Sequence, residues 1–168
     1  EVPYEAYLDM AVVFYVLLEV NTYGMASMLI KDEHLAMWNV TAEEICRRAH
    51  ENTGKLLPYE LKTMKAVIQE LTDTESEDKE DVMYVLSNRS RSYGAAAILY
   101  KGRLEEIGEY LEEDYYVLPS SVHEVIIIPQ SAAPGQEELS DLVTEINTSQ
   151  VDAEEVLSNL AYYYDRKK

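Results

Sequence analysis

One cysteine, one tryptophan, one phenylalanine and three histidines are all that this chain of 168 residues holds of those four types. A single thiol, Cys46, closes no intramolecular disulfide, and so few imidazoles and thiols leave no metal site expected. The lone cysteine favours a reducing compartment, with the cytoplasm as the default expectation. Positive charge is equally scarce: 14 Lys and Arg stand against 32 Asp and Glu, a formal net charge of −18. Such a surface repels phosphate, so neither nucleic acid nor an anionic membrane is an expected partner. No run of about eighteen apolar residues occurs, and the longest, near residues 10–18, is too short to cross a bilayer. Walker loops and Gly-x-Gly-x-x-Gly turns are absent, so no nucleotide and no other cofactor is expected. The chain opens on Glu1-Val2-Pro3 rather than on Met or a basic segment. That shows no signal peptide and suggests an excised piece of a longer protein, which makes its missing part or another protein the expected partner.

What is present is globular. Apolar residues make up 47% and charged ones 27%, and the length suits one α+β domain over residues 1–168. Residues 8–19 carry Val12, Val13, Phe14, Tyr15 and Val16, a β-branched and aromatic run that predicts a strand, although Tyr7, Met10, Ala11, Phe14 and Leu18 also fit a helix. Asn21-Thr22-Tyr23-Gly24 supplies a turn, and residues 25–30 a partner strand. Thr41-Ala42-Glu43-Glu44 reads as a capping box opening a helix that places Ala42, Ile45, Cys46 and Ala49 inward and ends near Gly54, with Trp38 over its first turn. Thr63 caps a shorter helix to about Leu71. Residues 73–81 hold six acids and one lysine and predict an exposed loop.

The second half begins like the first. Residues 83–86 predict a strand, 88–92 a turn and 94–100 a return strand. A helix over 103–111, strands over 115–118 and 125–128, a helix over 137–146, a capped start at Asp152 and Glu155, and a strand over 160–164 complete the reading. Residues 14–31 and 83–101 match at an offset of 69 before the turn and 70 after it, which predicts an internal repeat. The expected fold is therefore two related β-hairpin units with flanking helices and an antiparallel or mixed sheet.

Several segments carry a resemblance: Tyr84-Val-Leu-Ser-Asn88, Gly94-Ala-Ala-Ala-Ile-Leu-Tyr100, Leu104-Glu-Glu-Ile107, Tyr116-Val-Leu-Pro-Ser-Ser-Val-His-Glu-Val125 and Ile126-Ile-Ile-Pro129. With Glu51-Asn-Thr53, Leu57-Pro58 and Glu155-Val-Leu-Ser158, the chain resembles the bacterial family called domain of unknown function 5688. The likeness covers nearly the whole chain and implies that it is the C-terminal region of a two-part protein, with the missing N-terminal region as an expected partner; it implies no activity and no site residues.

The chemical candidate is Pro119-Ser120-Ser121-Val122-His123-Glu124, a loop between two apolar strands. Ser120, Ser121, His123 and Glu124 are residue types of acyl transfer, yet the cluster is local and lacks a Gly-x-Ser-x-Gly elbow. The better reading is a turn in which a serine hydroxyl bonds a backbone N–H. His50-Glu51 and His123-Glu124 fail as zinc-protease motifs because Gly54 and Ile127 stand where a second histidine belongs. Cys46 and His50 lie one helical turn apart and can touch, but Cys46 falls on the apolar stripe and reads as a buried thiol. The acids at 73, 75 and 77 start like a calcium loop, but Asp78 and Tyr84 occupy positions that need Gly and Glu. Tyrosine is abundant, 14 in all, and Tyr116, Tyr162 and Tyr164 are binding candidates on predicted strands. The expected function is a non-enzymatic binding or protein-interaction module, and the alternative is a hydrolase using Ser120 or Ser121 with His123.

Overall fold

The computed structural model describes residues 1–73, 83–149 and 151–168. Its first segment, rich in β-branched and aromatic residues, forms two hairpins. Strands β1 (Tyr4–Tyr7) and β2 (Met10–Val13) pair antiparallel across Leu8 and Asp9. The break at Phe14, which is buried, starts a second pair, β3 (Tyr15–Asn21) and β4 (Gly24–Leu29). Thr22 and Tyr23 make the tight turn, Asn21 Oδ1 accepts from the Tyr23 amide at 2.9 Å, and Gly24 takes a φ of 145°. A bulge at Leu18 shifts the register. The strand reading of this region is correct, with two strands where one was expected.

Helix α1 (Asp32–Trp38) follows, unforeseen in the sequence, and ends on Asn39 in the left-handed region at φ 53°. Trp38 stacks on His34. Helix α2 (Ala42–Leu56) begins where Thr41 Oγ1 accepts from the Glu44 amide at 3.1 Å, and it runs past Gly54. Ile45, Cys46 and Ala49 are half-buried and Ala42 is exposed, so the expected inward stripe is only partly covered.

Length suggests one domain, yet contacts divide the chain into two compact units, Glu1–Pro58 and Tyr59–Lys168. The second unit is built on a five-stranded antiparallel sheet of order β5-β6-β8-β7-β9, comprising β5 (Tyr59–Thr63), β6 (Tyr84–Asn88), β7 (Tyr115–Leu118), β8 (Val125–Pro129) and β9 (Tyr162–Tyr164). Every residue of β8 is buried, as befits a central Val-Ile-Ile-Ile run. Ile126 and Ile128 pack with Leu118 and with Leu139 and Val143 of α5 (Gln136–Ser149). On the opposite face Tyr115 is fully buried, and its hydroxyl donates to the carbonyl of Leu104 in α4 (Arg103–Leu111) at 2.7 Å. Burying each of these side chains contributes roughly 1.5–3 kcal/mol. Helix α3 (Met64–Thr72) starts where Thr63 Oγ1 accepts from the Ala66 amide, as its sequence indicates. None of the described helices is long and apolar enough to cross a membrane.

The fold is thus α+β with antiparallel sheets, but the second hairpin is not one. Residues Gly94–Leu99 form a 3-10 helix, not a return strand. The reason is topological: β6 already has β5 on one side and β8 on the other, leaving no edge to pair with. The matched segments 14–31 and 83–101 therefore adopt different conformations. The capped helix start expected at Asp152 is a turn in which the Glu155 amide donates to the Asp152 carbonyl. The acidic loop and its calcium reading, apart from Asp73 at the end of α3 and Tyr84 in β6, lie outside the described residues.

Candidate functional site

The loop between β7 and β8 places the four chemical candidates. Ser120 and Ser121 are buried, at 3% and 6% exposure, because the loop is laced to residues 155–158. The Leu157 amide donates to the Ser120 carbonyl, the Ser158 amide to that of Pro119, and the Val122 amide to that of Glu155. Ser121 Oγ accepts from the His123 amide at 3.0 Å, the serine turn that short polar residues favour.

The His123 side chain has both ring nitrogens engaged. Nδ1 accepts from the backbone amide of Tyr93 at 3.0 Å, and Nε2 meets Glu155 Oε1 at 3.1 Å. The rings of Tyr93 and His123 lie 5.4 Å apart. The His123 carbonyl accepts from Ser87 Oγ at 2.7 Å. Among the described residues neither serine hydroxyl bonds the imidazole, so the loop supplies a histidine that meets a carboxylate from Glu155 but no nucleophile on the ring. Glu124 instead lines a shallow depression with Glu60, Lys62, Val67, Ser87 and Arg91. Tyr93 and Glu155 are the partners that sequence reading missed; they stand 30 and 32 residues from His123, beyond any local pattern.

The tyrosine candidates are internal to the sheet. Tyr116 is half-buried and meets Tyr163 edge-on at 5.2 Å. Tyr164 stacks on Tyr115 at 4.8 Å, and Tyr162 is half-buried. Alternation along β9 makes Tyr163 the outward ring, at 45% exposure. Its hydroxyl donates to Asp114 Oδ2 at 2.5 Å, which pushes its pKa up to about 12 and draws that of Asp114 below the usual range.

The N-terminal unit has a second cluster. Glu5 Oε2, on β1, accepts from Cys46 Sγ at 2.9 Å and lies 2.9 Å from His50 Nε2. The contact with the carboxylate pushes the Cys46 thiol up to about 11, and the two contacts lower the Glu5 pKa. Cys46 is half-buried rather than sealed in a core, because α2 has no fully buried residue.

That unit also keeps much apolar surface in solvent. Phe14 and Ile30 are its buried hydrophobic side chains, while Leu18 is 64% exposed, Val20 43% and Tyr23 98% at the end of the β3–β4 hairpin. The comparison with protein families gives one match, a family of unknown function (DUF5688), over residues 1–166, nearly the whole chain, as the resemblance implies. No curated protein and no solved structure matches the chain.

Proposed function

Since the chain belongs to the family of unknown function DUF5688, we propose a function from its geometry: a non-enzymatic binding module that holds a protein partner against the tip of the β3–β4 hairpin. The observation that carries this reading is the exposure of Leu18, Val20 and Tyr23 together in a unit with so small a core. Two-stranded hairpins are marginal alone and gain stability when their apolar side is covered. Tyrosine and leucine at such a tip offer contact area, with the phenol adding a hydroxyl at low entropic cost. The net charge of −18 favours a partner whose contact surface carries basic residues, because like-charged proteins repel.

The alternative, a hydrolase using Ser120 or Ser121 with His123, draws support from the Glu155 carboxylate on the imidazole. It lacks a hydroxyl on the other nitrogen, which the Tyr93 amide occupies. The two readings separate on one experiment. Purified protein and its Ser121→Ala variant are assayed on ester, phosphate and peptide substrates. Turnover that disappears in the variant would overturn the binding reading; equal inactivity in both is what the binding reading expects.

A further inference from the structure

The cluster in the N-terminal unit has the composition of a metal site. Cys46 and His50 stand four residues apart on α2, so their side chains leave the same face. Glu5 reaches them from β1, and one donor atom from each of the three residues lies within 4.8 Å of the other two. We propose that Glu5, Cys46 and His50 bind a divalent transition-metal ion of the zinc type, leaving one coordination position open.

The donor set selects the class of ion. Sulfur, imidazole nitrogen and carboxylate oxygen together suit zinc and its neighbours, whereas magnesium and calcium take oxygen alone. The geometry is close to what such an ion requires. Around a tetrahedral ion with a metal–sulfur bond of about 2.3 Å and metal–nitrogen and metal–oxygen bonds of about 2.0–2.2 Å, the donors stand roughly 3.3–3.7 Å apart. The contacts of 2.9 Å from Glu5 to Cys46 and to His50 must therefore open by less than about 1 Å. His50 and Glu5 have side chains 41% and 44% exposed and can move that far.

Loading exchanges protons for metal bonds. Cys46 releases its thiol proton to solvent as the sulfur–metal bond forms. His50 moves its proton to Nδ1 so that the Nε2 lone pair can bind, and Glu5 coordinates as the carboxylate it already is. One proton leaves per ion bound, and the occupied site is neutral, with two positive charges set against a thiolate and a carboxylate. Glu43 adds a further negative charge nearby. The ion joins β1 to α2, a helix that no fully buried side chain of its own anchors. This site is independent of the hairpin-tip reading, and its test does not involve a partner.

The test is titration of the metal-free 168-residue chain with cobalt(II), a coloured stand-in for zinc. The expected result is a thiolate-to-cobalt charge-transfer band that saturates at one ion per chain, is bleached by added zinc, and accompanies a rise in the unfolding temperature. Cys46→Ser and His50→Ala should each abolish the band, and Glu5→Gln should weaken binding at least tenfold. Circular dichroism checks the fold of each variant, and the near-isosteric Glu5→Gln keeps the test decisive if either of the others unfolds. The many surface acids can gather cobalt without a thiolate band. Colourless binding that is the same in the wild type and in Cys46→Ser would overturn the proposal, as would a band that survives both His50→Ala and Glu5→Gln.

Discussion

The backbone amide of Tyr93 donates to Nδ1 of His123 across 3.0 Å. A ring nitrogen that accepts from an amide carries no proton, so the imidazole bears its hydrogen on Nε2 and directs it at Glu155 Oε1, 3.1 Å away. Histidine therefore links the start of the 3-10 helix to the turn at residues 152–155. Replacing it removes two hydrogen bonds at half-exposed positions. His123→Ala should lower stability by about 1–3 kcal/mol, and Glu155→Gln by about 1 kcal/mol, in denaturant unfolding. Ser121→Ala, which deletes the acceptor for the His123 amide, should cost about 1 kcal/mol.

Gly94 is the tightest point of the same region. A methyl group there would lie 2.0 Å from Ser87 Oγ, 2.5 Å from the His123 carbonyl oxygen and 2.7 Å from the Asn88 amide nitrogen. Two of these are backbone atoms of a central strand and its neighbouring loop, so neither can retreat cheaply. Gly94→Ala should destabilise the protein by about 3 kcal/mol or more. Gly135→Ala, where a Cβ meets nothing within 4 Å, should change stability by less than about 0.5 kcal/mol and serves as the control. Thermal unfolding of the two variants side by side gives the comparison.

The bond from Tyr163 to Asp114 makes a prediction in alkali. The tyrosine pKa is raised from 10.0 to about 12 by its carboxylate partner, so the folded state favours the protonated phenol. Its contribution is complete below pH 10 and is lost as pH rises through 12. At the acid end the lowered pKa of Asp114 acts in the opposite direction: its contribution is present above 3.8 and fades as pH falls below that. The difference in unfolding temperature between the wild type and Tyr163→Phe should be constant at neutral pH and shrink at both extremes. A difference that stays flat up to pH 12 would mean the hydroxyl does not hold this carboxylate in solution.

An exposed apolar side chain that serves a partner contributes little to the fold of the free protein. Leu18→Glu, at a bulge and 64% exposed, should shift stability by less than about 0.5 kcal/mol. By contrast Leu118→Ala, in the fully buried cluster under α5, should cost about 2–5 kcal/mol. Urea titration of both checks the contrast.

These particulars also mark where the sequence is readable. Thr41 and Thr63 cap their helices as local chemistry indicates, because a cap needs only the next three residues. The 103–111 helix and the strand at 115–118 follow from side-chain periodicity in the same way. Gly94-Ala-Ala-Ala-Ile-Leu99 misleads because a short apolar run has no distinguishing period, and what decides its conformation is that β6 has neighbours on both sides. The site was legible in part. Serine and histidine stand within one loop, but the carboxylate and amide that fix the imidazole come from distant segments. In the other unit, the spacing of Cys46 and His50 on one helix face is plain, while Glu5 lies 41 residues away from Cys46 and meets it only once β1 has folded. Counting donors excludes a metal site on average composition; it does not weigh three donors brought to a point.

The hairpin-tip reading is tested most directly by placing a photo-crosslinking amino acid at Tyr23, 98% exposed, and at Tyr110, 67% exposed in the other unit, in cells that make the protein. The account predicts one defined protein adduct from position 23, carrying a basic contact peptide and lost when Leu18→Glu is added, with only background from position 110. Equal background at both positions, or an adduct at 23 indifferent to Leu18→Glu, would contradict it.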